Sequence, residues 1–292
     1  MPAVGLSLPA LVRRFLLALG LLVLTALPAA ANGGCGQCDF LITGRDGDSY
    51  TATRGNTVCV DESAVFTGTI TLKGGAFEVC GAAIPSSVGF ESAADGAAGK
   101  IVNHGTLRYF SLGLEEVEVD NHGVLLTYEN LLIGPAALLV NHKGAFVGVG
   151  AELRNRGEVK NTGVLDASGD VRNLGRVDNG GLINAHRQLI NDGDFVNRGR
   201  INANEQFRNA EDSTFESFGG TVAAFDLLNE GLLFGDPSTG CNSLLVANRW
   251  LQPGKGQLVG SLDYCTAGRA SRPPAEIRSR TAKITACSCF NP

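Results

Sequence analysis

Residues 155–208 run as nine consecutive hexads without insertion: NRGEVK NTGVLD ASGDVR NLGRVD NGGLIN AHRQLI NDGDFV NRGRIN ANEQFR. The first position is Asn in six hexads and Ala in three, the third is Gly in seven, and the fifth is Val, Leu, Ile or Phe in all nine. The Ala hexads begin at Ala167, Ala185 and Ala203, so the complete unit is three hexads, or 18 residues. A unit this short cannot enclose its own apolar row and must stack on copies of itself. The 39 Gly, single Met and single Trp suit a turn-rich β chain better than a helical one. The pattern predicts an all-β chain folded as a parallel β-helix (β-solenoid) of about 18–20 residues per coil, with Cys-containing caps. Unequal sides and tolerated two-residue insertions favour right-handed winding, and a left-handed hexapeptide helix is the alternative.

Side chains alternate along a strand, so positions 1, 3 and 5 of each hexad face inward and positions 2, 4 and 6 face water. Three inward columns follow: Val159, Val177 and Phe195; Leu165, Ile183 and Ile201; Val171, Leu189 and Phe207. Asn155, Asn161, Asn173, Asn179, Asn191 and Asn197 each sit two residues before Gly157, Gly163, Gly175, Gly181, Gly193 and Gly199. Both residue types accept a left-handed backbone, so these pairs read as corners. Asn stacked on Asn can also hydrogen-bond along the axis, which offsets the cost of burying an amide. The Asn register extends in two columns, Asn103, Asn121, Asn141, Asn161, Asn179, Asn197 and Asn155, Asn173, Asn191, Asn209, Asn229, with steps of 18 or 20 residues. The two-residue insertions belong in loops.

The first 31 residues read as a signal peptide. Arg13 and Arg14 precede an apolar stretch over residues 15–27, and Ala29-Ala30-Ala31 is a small-residue cleavage site. That apolar stretch is short for a membrane span. The two arginines are its only charged groups, which leaves 22 basic and 29 acidic residues beyond it and a net charge of −7. A mildly acidic surface argues against nucleic acid or anionic membrane as partner. Residues 32–90 read as an N-terminal cap with first coils, 91–265 as the Asn-x-Gly solenoid with its C-terminal cap, and 266–292 as a basic, loosely ordered tail. About eleven coils over residues 50–265 predict a rod of about 50 Å.

All eight cysteines follow the targeting segment, and an even number in an exported chain favours disulfides. Cys59 and Cys80 are 21 residues apart, about one coil, and Cys241 and Cys265 are 24 apart. Stacked positions lie about 4.8 Å apart, within disulfide reach, so these two pairs are the expected cap staples. The pairing of Cys35 and Cys38 (CGQC) and of Cys287 and Cys289 (CSC) stays open. CGQC is a structural bridge candidate rather than a redox pair, because it does not lie between a strand and a helix.

Read in register, VEVDNHGVL (117–125), LRNRGEVKNTGVL (153–165) and FVNRGRIN (195–202) resemble the repeats of filamentous-haemagglutinin-type bacterial adhesins. The segments 57–81 and 241–265 resemble the Cys-bearing ends of secreted Asn-Gly-repeat β-solenoid proteins. The resemblance covers roughly residues 55–265. It implies a right-handed parallel β-helix, secretion or display at a bacterial cell surface, and an adhesive role, and it brings no catalytic residue.

Three of the four His share one register, in NHG at 103–105, NHG at 121–123 and NHKG at 141–144. His104, His122 and His142 would form a ladder able to hold a divalent metal. The plainer reading is a solvent-facing turn position, where Thr162, Gly180 and Arg198 follow. No metal or cofactor is assigned on sequence. Glu116, Glu118 and Asp120 alternate on one strand face, the acidic half of a polysaccharide-cleaving groove, without an evident basic partner. Thr67, Thr69 and Thr71 form one rung of an ice-binding type of array, and the following coils lack it. Phosphate loops, nucleophile elbows and zinc-protease helices are absent. The expected function is non-catalytic: a secreted or cell-surface bacterial solenoid touching glycans or surface proteins. The alternative is a polysaccharide-active enzyme, which requires a side groove where acids and bases of neighbouring coils converge.

Overall fold

A computed structural model describes residues 35–91, 97–253, 255–266 and 282–286. The targeting segment and Cys287 and Cys289 lie outside the described residues. Parallel strands wind into a three-faced solenoid. On its first face twelve strands stack in register, from Phe40–Ile42 to the start of Gln257–Thr266. Eleven steps at the usual strand spacing give a stack of about 53 Å. The coils begin at Phe40, ahead of the expected start at residue 50. No helix among the described residues is long and apolar enough to cross a membrane.

The hexad maps directly onto a strand and a turn. Positions 4, 5, 6 and 1 form the strand, as in Glu158–Asn161, where Val159 and Asn161 are buried and Lys160 faces water. Positions 2 and 3 make the corner. The three expected columns pair in register, Val159 with Val177 and Phe195, Leu165 with Ile183 and Ile201, Val171 with Leu189 and Phe207, and all nine side chains are buried. Every step of this core is therefore a same-type contact between neighbouring coils.

The asparagines are fully buried and form two amide ladders. In one, each Nδ2 donates to the next Oδ1 from Asn103 through Asn121, Asn141, Asn161 and Asn179 to Asn197, at 2.7–2.9 Å. The other runs from Asn155 through Asn173, Asn191 and Asn209 to Asn229 at 2.8–2.9 Å. The second proton of each amide goes to a backbone carbonyl, as from Asn173 to Asp194 at 2.9 Å. Each interior Asn thus satisfies both protons and its oxygen, which is what full burial of an amide requires.

The glycines serve a different need from the one expected. Among the described residues, positive φ occurs at Gly44, Gly55, Gly74, Gly144, Gly219, Gly240, Gly260 and Asp212, and at no glycine or asparagine of the strict repeat. A Cβ on Gly175 would lie 2.2 Å from the carbonyl oxygen of Gly157, and one on Gly181 2.2 Å from that of Gly163. Close approach of successive corners, not a left-handed backbone, excludes a side chain there.

The staples also differ. All four expected cysteines are bonded, but in other pairs: Cys35–Cys80 and Cys38–Cys59, with Cα–Cα distances of 5.6 and 5.8 Å. The first coil steps by 19 residues, Val58 onto Phe77, so Cys59 stacks on Glu78 and Cys80 falls two positions beyond it. The CGQC segment lies over these coils and bridges both. Cys241 and Cys265 are disulfide-bonded, yet the register sets Cys265 opposite Leu245, four residues from Cys241 and roughly 13 Å along the strand. They cannot bond each other. Part of the expected tail is ordered, since Ala282–Ala286 adds a parallel strand beside Gly260–Tyr264.

Candidate functional site

Two polar assemblies stand out on the solenoid. The first grows from the corner after the first face. Asn121 points inward, so its neighbours Asp120 and His122 both project outward, and Asn141 stacked beneath Asn121 places His142 under His122. The imidazoles of His122 and His142 lie parallel, 3.9 Å apart at 7°, and His104 continues the stack at 4.9 Å. Asp120 Oδ1 lies 2.5 Å from His142 Nε2 and 3.3 Å from His122 Nε2. His104 turns to another carboxylate, with Nε2 3.6 Å from Glu78 Oε1. The expected ladder therefore exists, and the structure adds Asp120 as its convergence point. His186 stands apart, with Nε2 3.2 Å from Asp166 Oδ1.

Electrostatics hold this corner in a definite state. Partial burial pushes the Asp120 carboxyl up, but the His142 hydrogen bond and the charges of His122, His142 and Lys100 outweigh it and hold it low. Burial and the neighbouring His142 keep the His122 imidazole below its ordinary value, with Asp120 opposing. Lys100 reaches from the preceding coil to Glu118 at 2.8 Å and to Asp120 Oδ2 at 3.6 Å. Its hydrogen bond to Glu118 raises its own value, against burial. The acidic strand face expected from Glu118 and Asp120 is thus partly neutralised by a basic partner one coil earlier.

The second assembly is a groove of about 570 Å3. Its walls are the two longer turns of one corner, Gly134–Ala137 and Ala210–Ser213, each closed by a backbone hydrogen bond. Its floor is the run of minimal Asn-x-Gly corners between them. Glu158, Arg176 and Asp194 stack in register along it, and Arg156 and Asp212 project from the turns. Asp212 has φ of 62°, the one non-Gly residue in the left-handed region among those described. The two-residue insertions were legible in the sequence, but the groove depends on their sharing one corner.

The remaining motifs resolve structurally. CGQC is spent on two bridges. The hydroxyl array is wider than expected on its other side, because Ser49 and Thr51 of the preceding coil pair with Thr69 and Thr71, and Ser87 follows. It ends there, at the edge of a three-stranded sheet. Comparison with protein-family models, with curated proteins and with solved structures finds no match.

Proposed function

We propose that the chain is a secreted or cell-surface bacterial β-solenoid that works by surface contact rather than catalysis, holding a glycan or a surface protein against its groove. The observation that carries this reading is the walled groove with alternating Glu158, Arg176 and Asp194 on its floor. Guanidinium and carboxylate groups offer donors and acceptors at the spacing of successive coils, which suits a polymer of repeating polar units. The rigid stack beneath fixes that spacing. The resemblance to adhesin repeats points the same way.

A second reading is favoured by the same groove, since acids and bases of neighbouring coils do meet in it. Glu158 and Asp194 are two coils apart, about 9.6 Å at the backbone, near the carboxylate separation of inverting glycosidases, about 6.5–9.5 Å. Against it, Arg176 occupies the register position between them, which makes the column a charge-alternating surface rather than an acid–base pair. A glycan array combined with a turnover screen, run on the chain lacking residues 1–31, separates the two. The contact reading expects retention of a polymer without cleavage, weakened about 10–100-fold in an Arg156→Ala/Arg176→Ala variant through loss of charged hydrogen bonds. Release of shortened products would establish the enzyme instead, and binding indifferent to both arginines would refute a groove-centred role.

A further inference from the structure

We infer that the corner formed by Asp120, His122 and His142 is a divalent-metal site that takes a borderline ion such as Zn2+. The inference is independent of the groove and of any role assigned to it. One ligand atom of each of the three residues lies within 4.8 Å of the others, with every side chain partly exposed and so open to an incoming ion. Two imidazole nitrogens and a carboxylate oxygen are a donor set suited to Zn2+, at bond lengths of about 2.0–2.2 Å. Tetrahedral bonds of that length separate ligand atoms by about 3.3 Å. His122 Nε2 and Asp120 Oδ1 are already 3.3 Å apart, and His142 Nε2 needs only to swing out from 2.5 Å.

The surroundings support the set. Lys100 engages the opposite oxygen, Asp120 Oδ2, and leaves Oδ1 to face the rings, the kind of outer contact that orients a ligating carboxylate. The Asn121–Asn141 ladder, with its 2.8 Å hydrogen bond, locks the two His-bearing corners one above the other. Neutral imidazole is the ligating form, and burial of His122 beside His142 favours it. Stacking two imidazoles over a shared carboxylate oxygen also has no structural purpose evident in the packing, since all three side chains lie outside the core. Three protein ligands leave a fourth position for water or for a donor from outside the chain.

The test is calorimetric titration of Zn2+ into the full, oxidised chain, paired with X-ray absorption of the loaded protein. One Zn2+ per chain is expected, with a first shell of two imidazole nitrogens and oxygen. His142→Ala and Asp120→Asn should each weaken binding by more than about 100-fold, beyond the 10–100-fold that loss of an outer-shell partner costs. His104→Ala and His186→Ala should leave it unchanged. These are exposed corner positions, and His122→Gln serves as a further variant that keeps a polar side chain. Absence of Zn2+ binding, sulfur or a single imidazole in the first shell, or binding that survives loss of both His122 and His142 would overturn the assignment.

Discussion

Replacing Asn173 with Ala tests the amide ladder at its strongest point. Asn173 is fully buried, donates to Asn191 Oδ1 at 2.8 Å and to the Asp194 carbonyl at 2.9 Å, and accepts from Asn155 Nδ2 at 2.8 Å. The substitution strips a donor from Asn191 Oδ1 and an acceptor from one proton of Asn155, both inside the stack. An unmade hydrogen bond at a buried group costs about 1–3 kcal/mol, so the two together cost about 3–5 kcal/mol. Asn103, the first rung of the other ladder, provides the control. Its Oδ1 has no partner among the described residues, so its loss orphans only Asn121 Oδ1 and should cost about 1–3 kcal/mol. A repeat array need not unfold in one step. The measurement is therefore native-state hydrogen exchange at Leu153–Asn155 and Gln188–Asn191, alongside urea unfolding. A cost below about 1 kcal/mol at Asn173, or equal costs at the two positions, would refute the view that ladder continuity stabilises the stack.

Ile183→Asp should unfold the middle coils, because an unpaired carboxylate would replace a side chain that is 1% exposed, and fast exchange across Leu182–Ala185 is the readout. Peptide mapping of the oxidised chain should recover Cys35 with Cys80 and Cys38 with Cys59, and a Cys59–Cys80 peptide would contradict the register. Each bridge closes a loop whose chain-entropy value is about 3–4 kcal/mol, so reduction should loosen the first coils before the centre. Tyr50 should ionise at about 12, because its hydroxyl donates to Asp46 Oδ2 at 2.6 Å and burial adds to the effect. The folded value lies above the ordinary one, so the stability it contributes is complete below about pH 10 and lost as pH rises through about 12. Phenolate absorbance should follow this, and Asp46→Asn should move the midpoint back toward 10.0.

The core was readable because one residue type recurs every 18 positions, which sets the register of Val159 on Val177 without reference to any loop. The glycine positions were readable, but their cause was not. Gly175 lacks a side chain for the same reason whether its φ is positive or a carbonyl is close, and only coordinates separate the two. The cysteine pairs failed where the step departs from 18. A drift of one residue at Val58–Phe77 moves Cys59 from beneath Cys80 to beneath Glu78. At the candidate metal corner, the His column followed from Asn register, whereas the role of Asp120 depends on two side chains turning back to one oxygen, which periodicity does not encode. The groove arises from an alignment of longer turns several coils apart, and local patterns carry no such information.

In-register stacking also makes the chain length of this molecule a stepwise quantity. Excising residues 173–190 would seat Asn191 under Asn155, Asn197 under Asn161 and Ala203 under Ala167, and every ladder would close over the gap. Excising a single hexad, 173–178, would instead put Ala185 under Asn161 and Asn191 under Ala167, a rotation of all later faces by one side. Whole coils can thus be added or lost without inventing a new interior, while smaller changes are confined to the corners. Each coil moves whatever the ends carry by about 4.8 Å. Duplication within such a gene is then a way of setting how far a surface stands from its anchor, in increments that the hydrogen-bond geometry dictates.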